Sequence, residues 1–143
     1  MNNELILQPL AVFFLLVLTV SVRMAFLRVR DFAAKRLSPQ AYELRSDRIK
    51  LSAAGERTSD HYQNLFEMPV VFIAACMIIY MTGRTDIFYV AAAWAYIALR
   101  LVHGFVHLTY NRVYHRFLVF VAGFTVLAAL ALRLAYQLLF QEP

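Results

Sequence analysis

The sequence predicts an all-α integral membrane protein built as a four-helix bundle. Three observations predict it. The chain is 62% hydrophobic and only 16% charged, against roughly 45–50% apolar and about 25% charged in soluble domains. Its apolar residues gather in four runs long enough to cross a bilayer, which takes roughly 20 residues. The polar residues gather mainly in one segment between the first two runs. A soluble core of 143 residues cannot hide this much apolar surface, but lipid can. One domain covering residues 1–143 is expected at this length.

The first span is expected over about 5–27 and carries "LAVFFLLVLTVSV". It does not read as a cleavable signal peptide, because "MNNE" lacks a basic leader and the apolar run is too long. A basic loop is expected over about 28–60. The stretch Arg23 to Asp60 holds nine of the fourteen Lys and Arg and five of the nine acids. Within it, "LSPQAYE" reads as a turn at Pro39 before a short helix, and "SAAGE" as a second break. Stacking aromatics are too few there for a nucleic-acid surface, so no nucleic acid is expected despite the net charge of +5.

The second span is expected over about 64–81, opening with "QNLFEMP". Spacings of three and four put Gln63, Asn64 and Glu67 on one helical face. An ionised carboxylate is costly in hydrocarbon, but near a helix N-terminus the macrodipole favours it. Pro69 kinks this helix if the helix begins near His61. Cys76 lies in the apolar run and reads as a small buried hydrophobe.

The third span is expected over about 87–110, after a turn at Gly83 and Arg84, and the fourth over about 113–140, after "YNRVYHR". Short connections make neighbouring helices antiparallel. Relative to Arg100, the positions His103, His107 and Asn111 fall at about 300°, 340° and 20° around the third helix. Such a stripe must face other helices or a water-filled cavity, and an interhelical seam is one reading of it. Two histidines four apart also suit a metal or haem, with Glu67 or His115 as a further ligand. Arg116 opens the fourth helix at the same depth, where its guanidinium can hold a carboxylate or favour a thiolate. Arg133, near the far end of that helix, is expected to snorkel to the surface.

Basic residues in short connections mark the cytoplasmic side. The connection at 28–60 and the one carrying Arg112 and Arg116 are therefore expected inside, and both termini outside or in the lumen.

The arrangement of "NLFEMP" opening the second span, "RLVHGFVH" in the third and Arg116 opening the fourth resembles the MAPEG family, the membrane-associated proteins in eicosanoid and glutathione metabolism, most of all its bacterial branch. The resemblance implies a homotrimer in a bacterial inner membrane, with glutathione at the subunit interfaces and a lipophilic small molecule as its acceptor. It implies a transferase or peroxidase in which Arg116 stabilises the thiolate. Asn64, Glu67 and Arg100 occupy the family's glutathione-holding places, with His103 and His107 beside them and Arg28 or Arg23 as the first-helix arginine. No metal belongs to that pattern. Three positions depart from it. Gln63 stands where catalytic members carry an arginine, and His107 and Phe120 stand where they carry tyrosines. A non-enzymatic protein with the stripe as its assembly seam, and a His-ligated metal or haem protein, are the competing readings.

Overall fold

Leu7–Lys35 form the first helix, α1, in the computed structural model, which describes residues 2–35 and 52–141. A 3₁₀ turn over Asn3–Ile6 leads into it. The helix α1 continues two turns past the boundary at 27. The reason is local: "RVRDFAAK" is polar, yet it contains neither Gly nor Pro, and Ala, Arg and Lys are strong helix formers. Asp31 is buried near this end and accepts hydrogen bonds from the backbone N–H and the hydroxyl of Ser52, both at 2.8 Å. The turn expected at Pro39, and Arg36, Arg45, Arg48 and Lys50, lie outside the described residues.

The second span differs most from expectation. It begins at Ala53 rather than 64, as a polar helix α2 (Ala53–Asn64) followed by an apolar helix α3 (Pro69–Met81). "SAAGE" therefore starts a helix instead of breaking one. Ser52 is the N-cap, its hydroxyl accepting from the N–H of Gly55 at 3.2 Å. Gly55, Thr58 and His61 recur every three residues and are buried, so α2 turns one face inward. Pro69 explains the break. Its ring clashes with the carbonyl four residues back, and helix α2 is capped at that residue, Leu65. Pro69 itself sits in the first turn of α3, where its missing N–H costs nothing.

Helix α4 (Ile87–Leu108) follows a turn in which Gly83 takes a φ of 67°. Asp86 caps α4, its carboxylate accepting from Tyr89 N–H at 2.9 Å. Helix α5 (Val113–Phe140) has the expected bounds. Arg133 does not snorkel freely. Both arms of its guanidinium engage the two oxygens of Asp86, and it lies 4.6 Å from the ring centres of Phe88 and Tyr89.

At one end of the bundle Asn3 reaches the carbonyl of Tyr80 and Arg84 reaches that of Gln141, so both termini meet the α3–α4 turn. At the other end Arg57 of α2 donates to the carbonyl of Thr109 in the α4–α5 turn at 2.6 Å. Between them the core is apolar and aromatic: Phe13, Phe72, Tyr96 and Leu130 are buried, and the rings of Phe72 and Tyr96 lie 4.6 Å apart. Cys76 is buried and free. Large apolar side chains also cover the outside, among them Leu15, Val22, Phe26, Phe105, Phe117 and Leu132. A water-facing surface does not carry such a continuous apolar coat. Four spans, over 3–35, 53–81, 87–108 and 113–140, make this an integral, multi-pass membrane protein.

Candidate functional site

The break between α2 and α3 opens the bundle beside the start of α5. A cavity of about 410 Å³ lies there. Its α2–α3 wall consists of Asp60, Gln63, Asn64 and Glu67. His103 and His107 of α4 form its floor, and Arg116, Phe117 and Phe120 of α5 its far wall. The unwound turn lets Glu67 follow Asn64 into the opening. Glu67 is exposed and does not cap α3, whose N-cap residue is Met68 with no side-chain capping bond. Asn64 donates to the carbonyl of Asp60, one turn back, at 2.9 Å.

Arg116 is held in place from two sides. Its guanidinium contacts Nε2 of His107 at 3.1 Å and donates to Oδ1 of Asn111 at 3.1 Å. A guanidinium only donates, so His107 accepts through Nε2 and carries its proton on Nδ1. Asn111 reaches this position from a left-handed turn (φ 48°) after α4 ends, a conformation that asparagine tolerates better than most residues. One guanidinium arm is thus fixed while the group stays at the cavity wall.

Two expected site residues are not brought to the cavity. Arg100 is buried one turn deeper, donates from Nε to the hydroxyl of Tyr96 at 2.9 Å, and lies 5.8 Å from the centre of the Phe120 ring. Phe120 therefore stands at the cavity with Arg100 against its ring. Arg28 is half-buried on α1, its Nε without a hydrogen-bond partner among the described residues, and it does not line the cavity. Arg23 points to α2, donating to the Thr58 hydroxyl at 3.3 Å. Among the described residues that line the cavity, Asp60 and Glu67 carry negative charge and Arg116 positive charge.

The stripe of Arg100, His103 and His107 is buried within a single chain, and it faces a residue the sequence reading left between the loop and the second span. His61 of α2 is fully buried against it. Its ring centre lies 5.8 Å from that of His103 and 5.3 Å from that of His107, which are 5.7 Å from each other. One ring nitrogen from each of the three falls within 4.8 Å of the others. Both nitrogens of His61 and the Nδ1 atoms of His103 and His107 are buried without a hydrogen-bond partner among the described residues. Leaving such a group unpaired costs about 1–3 kcal/mol. Gly104 makes the meeting possible: a Cβ there would stand 2.9 Å from Nε2 of His61. The sequence signal for His61 was the spacing of Thr58, His61 and Leu65, a helical face visible once Ser52 is read as an N-cap.

A model of the MAPEG family matches residues 6–136. No curated protein and no solved structure matches the chain. The matched region reaches from the turn before α1 into the last turns of α5 and contains every residue of the cavity, and the chain belongs to the MAPEG family.

Proposed function

We propose that the cavity binds glutathione and that the protein is a glutathione-dependent transferase or peroxidase acting on lipophilic electrophiles. The observation that carries this reading is Arg116, fixed by His107 and Asn111 at the wall of a cavity that also carries Asp60 and Glu67. The residues present suit the ligand. Glutathione is a peptide with one ammonium, two carboxylates and a thiol. Glu67 and Asp60 suit the ammonium, and the amides of Gln63 and Asn64 suit the peptide groups. The volume, about 410 Å³, falls in the range of roughly 300–1,000 Å³ common to small-molecule sites.

When bound, glutathione supplies a thiol whose deprotonated form is the nucleophile. Arg116 favours that form by placing a fixed positive charge and hydrogen-bond donors beside it. His107 and Asn111 keep the guanidinium from turning away. Phe117 lines the cavity and is 60% exposed on the apolar outer face, which gives a lipophilic acceptor a route from the bilayer.

The cavity of one chain carries two acids and one guanidinium, a poor match for two ligand carboxylates. A homotrimer with the cavity at its interfaces would supply the missing cation from a neighbouring copy, with Arg28 as the candidate. The orientation proposed with it puts the basic connections in the cytoplasm of a bacterial inner membrane and the termini outside. Glutathione then enters from the cytoplasm.

The test is the ultraviolet thiolate difference spectrum of purified protein titrated with glutathione. A thiolate band in the native protein that disappears in Arg116→Ala is expected. Its absence from the native protein at saturating glutathione would refute the reading.

A further inference from the structure

We propose that His61, His103 and His107 form a binding site for a divalent transition-metal ion of the zinc class. The proposal rests on the meeting of three buried imidazoles and makes no use of glutathione. His61 comes from α2 and the other two from successive turns of α4, so the three rings approach one point from two helices. Neutral imidazole is a preferred ligand of zinc and its late first-row neighbours, and three histidines with an open fourth position are a recurring zinc set.

Three observations favour an ion over mere packing. The first is proximity: the nearest ring nitrogens lie within 4.8 Å of one another. A tetrahedral ion with bonds of about 2.0–2.1 Å needs them about 3.4 Å apart, so the rings close by up to about 1.4 Å when it binds. The second is that four of the six ring nitrogens are buried without a hydrogen-bond partner among the described residues, and these include at least one on every ring. Buried polar atoms in folded proteins are normally satisfied, so a cluster of orphans calls for a bound species. The third is Gly104, where any side chain would press on Nε2 of His61. The helix keeps a gap where that nitrogen must lie.

Arg116 contacts Nε2 of His107 at 3.1 Å, so the ion takes Nδ1 of His107, the ring proton moves to Nε2, and Arg116 gives up that contact and keeps its bond to Asn111. Access and charge are compatible with an ion. His103 and His107 also form the floor of the cavity, and Asp60 and Glu67 stand at its opposite wall. A cation therefore has an acid-lined entrance. The fourth position is left for water.

The experiment uses the full-length protein in detergent, carried on a tag without histidine, stripped with a chelator and titrated with Co²⁺. One cobalt per chain, with the intense visible d–d absorption of a tetrahedral site and displacement by Zn²⁺, is expected. His61→Ala should weaken cobalt binding by at least about tenfold, while His115→Ala, an exposed histidine bonded to Tyr110, should bind as the native protein does. Should His61→Ala fail to fold, X-ray absorption of the zinc-loaded native protein decides, with three imidazole nitrogens at about 2.0–2.1 Å expected. A pale octahedral spectrum, binding unchanged when all three histidines are replaced, or a zinc shell lacking imidazole would overturn the proposal and leave the cluster as a water-filled polar pocket.

Discussion

The two ends of the bundle treat their polar groups in opposite ways. At the end that gathers both termini, Asp86 and Arg133 engage each other through two contacts, Asp86 also caps α4, and Tyr89 donates to Gln137 at 2.6 Å. The Arg133 guanidinium holds the Asp86 carboxyl below the usual carboxylate range. At the other end, among the described residues, Arg116 contacts a histidine and an amide rather than an acid, Glu67 stands open, and four imidazole nitrogens are buried without a hydrogen-bond partner. Both ends belong to the same four spans. A polar cluster that completes itself needs no ligand and serves the fold. One that stays incomplete costs stability in the empty protein, and that cost is recovered only when something binds.

The largest expected effect breaks the contrast at Arg116. Arg116→Ala should lower glutathione-dependent turnover, as kcat/KM with a lipophilic electrophile, by about 10²–10³, the usual loss when one anion-stabilising donor is removed. Its melting temperature should barely move, because the group is half-buried and has no acid partner among the described residues. An equal loss of turnover in Asp86→Ala would mean that the two ends do not differ in role.

Gly104→Ala comes next. The added methyl meets His61 at 2.9 and 3.2 Å, and overpacking of this kind costs about 1–3 kcal/mol. Alanine recovers about 1 kcal/mol of helix propensity over glycine. A net loss of up to about 2 kcal/mol is therefore expected in thermal or denaturant unfolding. A neutral or stabilised variant would show that His61 is loosely held, and would undercut the need for the gap.

Asp86→Ala tests the completed end. Losing the cap costs about 1 kcal/mol, and the partly exposed pair with Arg133 adds at most about that again. The pH dependence has a definite sign. A carboxyl depressed in the folded state stabilises it above the unfolded pKa of about 3.9 and loses that contribution as pH falls through the folded value. The gap in melting temperature between native protein and Asp86→Ala should thus be constant near neutrality and narrow below about pH 4. A gap that persists at low pH would place the loss in packing rather than in charge.

The spans were legible because lipid imposes a length and a composition on each of them. The helix α2 was not, because "AAGERTSDHYQN" is polar throughout and polar segments beside a membrane read as loop. Its burial comes from tertiary contact with α1 and α4, which composition does not reveal. Helical phase placed His103 and His107 on one stripe, but phase does not say what a stripe faces; the answer was His61, 42 residues before His103. The same limit hid the Asp86–Arg133 pair, 47 residues apart, and made Arg133 look like a lone snorkelling cation. Arg100 was assigned to the site by phase and family pattern together; in the single chain it lies one helical turn deeper, against the Phe120 ring that lines the cavity.

The smallest effect sharpens the comparison most. Gln63→Arg places a second cation in the cavity beside Asp60 and Glu67. Two outcomes compete. The new guanidinium can pair with the acids and make this end resemble the Asp86–Arg133 end, or it can stay available and draw an anionic ligand. Exposed ion pairs contribute about 0.2–1 kcal/mol, so neither effect is large. Asp60 and Glu67 are both exposed, and water screens any pair they form, whereas a carboxylate enclosed with the ligand is screened less. Isothermal titration should therefore show glutathione affinity rising about two- to fivefold, with unfolding free energy unchanged within about 0.5 kcal/mol. A stabilised protein with no gain in affinity would mean that the acids of the cavity take partners as readily as Asp86 does, and the contrast between the two ends would then be one of composition rather than of purpose.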